Sequence, residues 1–251
     1  MTAENASAVP LLLRRIVNRI GRPFGLNPFP RAFEYDLAAS NSAGAFDTIY
    51  QENLWGSEDS RSGVGSELAA TEQYRHGLQQ LIVARGFQSM FDAPCGDLNW
   101  MPALLAVTPI AYQGGDISAA VVAAQTERHQ GFQLRQFDIC RDAFPQADVW
   151  HCRDCLFHLP FADIFKALNN FVASDIPYAL LTTHHAWLLH RNLDLNGIGF
   201  RFLDLERAPI SLPKPLAYIP DYKRGSDFPR YVGLWSRAMI QGALQRAGKL
   251  A

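Results

Sequence analysis

The chain has 251 residues, of which 48% are hydrophobic, and this is enough apolar content for one globular domain with a large buried core. Its formal net charge is -1, so we expect no overall attraction to nucleic acid or to acidic membranes. No apolar stretch reaches the length of a membrane-spanning helix and no signal-peptide pattern is visible, so we expect a cytoplasmic location.

Residues 1–45 are predicted to form an N-terminal extension, partly helical or mobile, ahead of a single domain at residues 46–251. Five arginines lie within residues 1–31. A basic amphipathic helix there would favour weak contact with a membrane surface or a partner. A loosely held terminal segment explains the same composition, and both alternatives stay open.

A Gly- and Ser-rich stretch at residues 50–66 is followed by a pattern typical of an amphipathic helix, for which Ser66 is a candidate N-cap. Because residues 50–85 precede the first strand of the predicted sheet, we expect them to fold over a ligand site as a lid. Trp55 and Arg75 are candidate ligand contacts in this lid, since a guanidinium pairs well with a carboxylate. A core tryptophan and a solvated arginine are the alternative.

The most informative part of the chain is a strand and turn that begin near residue 89. Ser89 to Ala93 has the pattern of a short buried strand, and residues 94–97 that of a tight turn. A second strand at residues 112–115 leads to Asp116, which lies 20 positions after Gly96. An acid about 20 residues past such a turn can accept hydrogen bonds from both ribose hydroxyls. The spacing therefore predicts a nucleoside site in which Asp116 holds the ribose.

Two kinds of nucleoside ligand are compatible with this spacing. A dinucleotide requires G-x-G-x-x-G, so that the backbone can approach a pyrophosphate. Pro94 and Leu98 replace two such glycines, and Asp97 places negative charge where phosphate would sit. Carboxylates suit a phosphate-free cofactor with a sulfonium and an ammonium group. An NAD(P)-dependent oxidoreductase or epimerase is the alternative, but no Tyr lies four positions before a Lys, which argues against the catalytic pair of short-chain enzymes.

Three segments together resemble the class I S-adenosylmethionine-dependent methyltransferases, and in particular a bacterial subgroup. They are W-G-S-x-x-S-x-S-G-x-G-S at residues 55–66, D-A-P-C-G-D-x-N-W-M at 92–101 and R-D-C-L-x-H-L at 153–159. The similarity extends from Tyr50 to Trp235. It implies an α/β fold, with a Rossmann-like sheet of seven strands and helices on both faces, and S-adenosyl-L-methionine as the cofactor.

The resemblance also implies which residues bind the cofactor. Asp138 would accept a hydrogen bond from the adenine amino group while Ile139 packs on the ring, although Asp is also a frequent cap of turns. The full predicted set is Trp55, Arg75, Asp92, Ala93, Pro94, Gly96, Asp116, Ile117, Asp138, Ile139 and Arg153.

Candidate catalytic residues lie at the ends of the fourth and fifth predicted strands, which flank the cofactor's methyl group in the resembled architecture. Asp154 and His158 follow the fourth strand, and His184 ends the fifth. Histidine is the common general base near neutral pH, although positioning can supply much of the acceleration of an in-line methyl transfer. A packed structural histidine is the alternative at both positions.

Residues 187–215 lose regular periodicity, which is typical of a binding loop beside strand tips. Asn192, Asp194 and Arg201 are candidate substrate ligands there, and the resembled subgroup has a similar pattern. An internally braced loop is the alternative. The predicted reaction is O-methylation of a small-molecule or glycan hydroxyl, and a noncatalytic module that binds S-adenosylmethionine stays open as well.

The four cysteines include a C-x-x-C pair, Cys152 and Cys155, flanked by His151 and His158. This pair lies at the end of a predicted strand and not on a zinc-binding loop or at the start of a helix. We therefore predict no metal site and no redox dithiol, with the thiols packed as small hydrophobic groups.

Overall fold

The structure is a computed structural model that describes residues 32–37, 41–185, 190–222 and 229–250, together with residue 17. The strands in these ranges are β1 Ala32–Glu34, β2 Ser89–Asp92, β3 Ala111–Asp116, β4 Gln133–Gln136, β5 Val149–Cys152, β6 Tyr178–His184, β7 Gly199–Arg201, β8 Ala217–Pro220 and β9 Arg230–Ser236. The helices are α1 Ser42–Gln51, α2 Glu72–Arg85, α3 Met101–Leu105, α4 Ala119–Arg128, α5 Phe161–Val172 and α6 Arg237–Arg246.

Seven strands form one sheet in the order β4-β3-β2-β5-β6-β9-β8, and β1 pairs with β7 in a separate two-stranded sheet. In the described residues of the large sheet, β9 alone runs opposite to the other six strands. The chain first moves outward from β2 to β4 and then crosses to the other side of β2 at β5. Such a switch point opens a ligand crevice at the carboxyl ends of the strands.

Apolar side chains cover both faces of the sheet. Tyr74 and Leu78 of α2 belong to a cluster on one face, while Phe171 of α5 belongs to the cluster on the other. Successive β5 residues point alternately to these faces, so Val149 joins the first cluster and Trp150 the second. The predicted α/β, Rossmann-like sheet of seven strands with helices on both faces is therefore confirmed.

Local conformation determines where two helices begin. After the turn at residues 94–97 the chain becomes helical only at Met101, because Leu98 has a φ of 55°, a left-handed conformation that a helix cannot contain. Ser66 ends a short 3-10 turn and does not cap α2, whose N-cap is Thr71.

The second half of the predicted lid is part of the framework. The apolar stripe of α2 is buried, and at Gly77 the helix approaches β8 so closely that a Cβ atom would lie 2.6 Å from Ile219 Cγ2. An amphipathic helix held on a sheet in this way cannot serve as a lid. Of the predicted lid at residues 50–85, only residues 52–71 form a loop, called the lid loop below, and its closure over a ligand stays a prediction.

The predicted boundary between residues 45 and 46 falls inside α1. Asn41 caps this helix by accepting a hydrogen bond from Gly44 N at 2.9 Å, and Ala45 is buried in the core. The described residues 32–37 and 41–45 are thus part of the fold. The basic segment at residues 1–31 lies outside the described residues, apart from residue 17. In the described ranges no helix is long and apolar enough to cross a membrane.

Candidate functional site

A cavity of about 430 Å³ lies at the carboxyl ends of β2, β3 and β5, where the switch point places it. Its volume is within the range of small-molecule and cofactor sites. Most of the residues predicted from the sequence meet in its wall. These are Trp55, Asp92, Pro94, Gly96, Asp116, Ile117, Asp138, Ile139, Arg153, Asp154 and His158.

Six predicted site residues do not line this cavity. Ala93 is fully buried, and its carbonyl accepts a hydrogen bond from Trp150 Nε1 at 2.8 Å. Arg75 Nη2 donates to Leu68 O at 3.0 Å, within the lid loop. The other four are His184, Asn192, Asp194 and Arg201, whose contacts are described below.

Asp116 lies at the tip of β3, beside the turn that follows β2. Its two carboxylate oxygens accept hydrogen bonds from Gly96 N and Ser118 N, each at 3.0 Å. Burial raises the pKa of Asp116 to about 6, although both amides favour the ionised form. A carboxylate fixed by two amides keeps further lone pairs free for hydroxyl donors in the cavity.

The turn after β2 is joined to the Ser- and Gly-rich loop. Ser60 Oγ donates to both carboxylate oxygens of Asp97, at 3.1 and 2.9 Å, and Asp97 N donates to Ser62 Oγ at 3.0 Å. Gly96 has a φ of 57°, and a Cβ atom there would lie 2.4 Å from Ser62 Oγ. The turn therefore needs glycine both for its backbone conformation and for the close approach of the loop.

Asp92 belongs to a buried hydrogen-bonded network beneath the turn. Tyr112 donates its hydroxyl to Asp92 Oδ2 at 2.8 Å, and His151 Nδ1 lies 2.5 Å from Asp92 Oδ1. The Tyr74 hydroxyl lies 2.7 Å from the other ring nitrogen of His151. The network holds the Asp92 carboxylate in one orientation and joins α2, β2, β3 and β5 at the cavity floor.

Asp138 and Ile139 line the cavity beyond the tip of β4. Asp138 accepts hydrogen bonds from Cys140 N at 2.9 Å and Arg141 Nε at 2.8 Å, and its own N–H donates to Asp142 Oδ2. The carboxylate thus caps its turn, which is the structural role weighed against adenine binding. A carboxylate has about four acceptor sites, so capping leaves room for a further donor.

Arg153 and Asp154 belong to a cluster of four charges, of which Arg153 and Asp221 are buried while Asp154 and Arg230 are partly buried. Arg153 donates two hydrogen bonds to Asp221, both at 2.9 Å, and one to Gly65 O at 2.8 Å. Arg230 donates to Asp154 Oδ2 at 3.0 Å. Burial alone would raise the pKa of Asp154, but Arg153 and Arg230 hold it below its ordinary value. Asp154 is therefore an ionised partner of arginines and a weak candidate for a general base.

His158 is a neutral imidazole in the cavity wall. Burial lowers its pKa to about 4. Its Nδ1 lies 2.5 Å from Gly199 O, and a carbonyl can only accept, so the single ring proton is on Nδ1. The Nε2 atom of His158 is left as a hydrogen-bond acceptor, and the ring lies 5.6 Å from that of Trp55.

His184, by contrast, is a packed structural residue. Its Nδ1 accepts a hydrogen bond from Leu203 N at 3.2 Å, and its ring makes edge contacts with Phe157 and Phe202. Burial lowers its pKa to about 3. A catalytic role for His184 is not supported, because the side chain is turned into the aromatic core beside the insert.

The predicted substrate ligands of the insert bind protein groups. Asn192 Nδ2 donates to Asp204 O at 2.8 Å and to Ala208 O at 3.0 Å. Asp194 accepts from Phe161 N at 2.7 Å, and Arg201 donates to Leu159 O at 2.6 Å. Asn192 thus braces the insert internally, as in the alternative, whereas Asp194 and Arg201 tie the insert to the segment that follows β5.

The sequence reasoning missed α1 as part of the site. Asn41, Phe46 and Tyr50 of this segment line the cavity, and Asp47 accepts a hydrogen bond from Ser118. An Asn N-cap followed by apolar residues at positions 45, 46 and 49 was a usable signal. His151 stands out in the sequence only as a neighbour of the cysteine pair, and nothing in its spacing indicates Asp92 as its partner.

The four cysteines are free thiols. Burial raises the pKa of Cys95, Cys140 and Cys152, and these thiols are consequently protonated and poorly nucleophilic. Among the described residues, no group of three or more His, Cys, Asp or Glu side chains is placed to hold a metal ion.

Comparison with solved structures identifies the fold. The 1,6-didemethyltoxoflavin-N1-methyltransferase of Burkholderia thailandensis, solved with 1,6-didemethyltoxoflavin and S-adenosylhomocysteine, matches with 13% sequence identity and a TM-score of 0.57, over 83% of this chain and 96% of that one. The magnesium protoporphyrin IX methyltransferase of Synechocystis, solved with S-adenosylhomocysteine, matches with 14% identity and a TM-score of 0.52, over 77% and 94% of the two chains. No protein family and no curated protein was found to match this sequence. The fold is that of the class I methyltransferases.

Proposed function

We propose that the protein is a methyltransferase that uses S-adenosylmethionine to methylate a hydroxyl oxygen of a small molecule or a glycan. The observation that carries the proposal is the position of Asp116 at the tip of β3, hydrogen-bonded to Gly96 of the turn after β2. An acid at this strand tip, in the crevice that the fold uses for nucleoside ligands, could accept hydrogen bonds from both ribose hydroxyls, and this supports the proposal. The fold shared with methyltransferases solved with S-adenosylhomocysteine supports the same cofactor.

The charges around the turn fit this cofactor better than a dinucleotide. Asp92, Asp97 and Asp116 all line the cavity. A pyrophosphate would meet three carboxylates, whereas a sulfonium and an ammonium group would be stabilised by them. Asp116 would hold the ribose and Ile139 would pack on the adenine. The bound cofactor supplies an activated methyl group, and the protein supplies orientation and charge.

The end of the cavity formed by Trp55 and His158 favours an uncharged methyl acceptor. Among the described residues that line the cavity, three carry positive charge, and each pairs with a carboxylate: Arg141 with Asp138, Arg153 with Asp221 and Lys166 with Asp163. An anionic acceptor would therefore find no unpaired cation there. His158 Nε2 can accept a hydrogen bond from a hydroxyl, and the nearby Trp55 ring offers an apolar face to a sugar.

The first experiment is calorimetric titration with S-adenosylhomocysteine, with NAD and NADP as controls. We expect micromolar binding of S-adenosylhomocysteine alone. Asp116→Asn replaces one carboxylate oxygen with an amide donor, and losing a hydrogen bond to a charged group costs about 1.5 to 3 kcal/mol. We therefore expect at least tenfold weaker binding by this variant.

The matched control is Asp175→Asn, at a carboxylate that is almost fully exposed on the surface. It should bind like the unchanged protein. Preference for a dinucleotide, or full affinity in Asp116→Asn, would overturn the proposed cofactor site. Tight binding of S-adenosylhomocysteine without turnover on any hydroxyl acceptor would instead support a noncatalytic binding module.

A further inference from the structure

One segment of the insert, residues 194–201, contacts three positions of the segment that carries His158. Gly199 O lies 2.5 Å from His158 Nδ1, Arg201 Nη1 donates to Leu159 O at 2.6 Å, and Asp194 Oδ1 accepts from Phe161 N at 2.7 Å. The backbone that follows His158 is thus tied to the same segment that binds its ring. The partners of these bonds on the insert, Asp194, Gly199 and Arg201, all lie outside the cavity wall.

The strand pair β1 and β7 supports this segment from behind. Glu34 lies opposite Gly199, and Glu34 Oε1 accepts a hydrogen bond from Asn196 N at 2.7 Å. At Gly199 the two strands are so close that a Cβ atom would lie 2.2 Å from Phe33 O. The position of the Gly199 carbonyl is therefore fixed by backbone packing, and with it the nitrogen of His158 that carries the proton.

Arg201 braces the insert with a buried and incompletely hydrogen-bonded charge, which is energetically unfavourable. Its side chain is 1% exposed, and its Nε and Nη2 have no hydrogen-bond partner. The guanidinium lies over the Phe161 ring, 4.9 Å from the ring centroid, and burial lowers its pKa to about 10. An apolar side chain of similar volume would often stabilise such a site as well or better. A buried charge beside His158 indicates a purpose beyond stability.

The charge of Arg201 also acts on the imidazole. Three charged groups influence His158 from the elements packed around it: Asp154 favours the protonated ring, while Arg201 and Arg230 favour the neutral ring. Arg201 therefore helps to keep the imidazole neutral. A neutral ring with its proton on Nδ1 has a lone pair on Nε2, and this is the state that can accept a proton or a hydrogen bond.

We propose that residues 194–201 act as a clamp that positions His158, with Asp194 and Arg201 as positioning residues and Nε2 of His158 as the group that accepts a hydrogen bond from the methyl acceptor. The identity of that acceptor rests on the proposed function. The tautomer and orientation of His158 do not, and they can be measured without any substrate.

The test is long-range ¹H–¹⁵N correlation spectroscopy of the histidine rings in uniformly labelled protein, with the His158 signals assigned by their loss in His158→Gln. In the unchanged protein we expect one tautomer, protonated on Nδ1, with a titration midpoint near the pKa of about 4. In Asp194→Ala we expect a mixture of tautomers and a midpoint that moves toward the ordinary value of 6.5. Loss of the Asp194 charge alone would lower the midpoint further, whereas a released and less buried ring raises it, so a rise reports geometry.

Three further variants complete the test. Asp194→Asn keeps an oxygen that accepts from Phe161 N and should restore the original spectrum. Asn192→Ala removes a brace of the same insert that does not touch residues 158–161, and it should leave the His158 signals unchanged. Arg201→Lys keeps the positive charge but loses the planar guanidinium, and it should shift the His158 signals.

The clamp is overturned if folded Asp194→Ala and Arg201→Lys proteins both retain the original His158 tautomer and midpoint. If Asp194→Ala does not fold, Arg201→Lys decides alone. The folded variants of Asn192, Asp194 and Arg201, which lie outside the cavity wall, should bind S-adenosylhomocysteine as the unchanged protein does. Failure of the unchanged protein to bind it would overturn the proposed function and leave the result for His158 intact.

Discussion

The two ends of the cavity satisfy their polar groups in opposite ways. At the carboxylate end, formed by Asp92, Asp97 and Asp116, hydrogen bonds from the protein reach both oxygens of every carboxylate. At the histidine end, formed by Trp55 and His158, the histidine ring makes one hydrogen bond, to a backbone carbonyl, and its remaining described contacts are aromatic.

The difference has a physical reason. Buried carboxylates are destabilising unless donors surround them, so the carboxylate end must be organised before any ligand arrives. A neutral imidazole among aromatic rings has no such requirement, and its chemistry depends on which nitrogen carries the proton. Substitutions at the carboxylate end should therefore affect folding and cofactor binding together. Substitutions around His158 should alter chemistry with little effect on the cofactor.

The largest effect is expected at Arg153, which ties the lid loop to the far side of the sheet. Arg153→Met leaves Asp221 buried without one of its two arginine partners, and breaking a buried pair in this way costs about 3 to 5 kcal/mol. The measurement is the free energy of unfolding in urea.

Arg141→Met is the control, because Arg141 forms an exposed pair with Asp138 and its loss should cost under about 1 kcal/mol. Equal losses in the two variants would show that the buried cluster is not the stronger link.

The second effect is a pH dependence of cofactor affinity that arises from Asp116. Burial raises the pKa of this residue to about 6. Affinity for S-adenosylhomocysteine should fall about tenfold from pH 7 to pH 5, since about a tenth of the carboxylate remains ionised one unit below its pKa. Titration calorimetry at both pH values measures this.

The unliganded protein should respond in the opposite direction. The raised pKa of Asp116 means that this carboxylate binds its proton more tightly in the folded state than in the unfolded state. This contribution to stability is present at low pH and is lost, up to about 3 kcal/mol, as the pH rises from about 4 to 6. Asp116→Asn should abolish both trends, and a pH-dependent affinity in that variant would assign the titration to another group.

The smallest effect is expected at Ser60, whose hydroxyl joins the lid loop to Asp97. Ser60→Ala should lower the free energy of unfolding by about 1.5 to 3 kcal/mol, because a hydrogen bond to a charged group is lost. It should also weaken S-adenosylhomocysteine binding several-fold, as measured by calorimetry.

Ser174→Ala removes a hydroxyl that bonds to Phe171 O, just before the amino end of β6. It should cost stability without affecting binding. Identical affinity in Ser60→Ala and the unchanged protein would mean that the lid loop does not shape the carboxylate end.

The parts that the sequence predicts well are those governed by nearby residues. The turn at residues 94–97, its spacing to Asp116 and the central strands follow from local patterns of apolar, glycine and acidic residues. The fold class and the eleven predicted residues in the cavity wall depend on this local order and on the resemblance of three motifs. The spacing also places Asp92 on a strand tip, because strand ends and turns are adjacent in sequence.

Only the tertiary structure decides which distant groups meet. Asp92 and His151 are 59 residues apart, Ser60 and Asp97 are 37 apart, and Arg201 reaches back 42 residues to Leu159. No periodicity within a strand or helix encodes such pairs, since they arise when separate elements pack at one edge of the sheet. For the same reason, His158 and His184 look equivalent as strand-end histidines. Packing directs the first into the cavity wall and the second into the aromatic core.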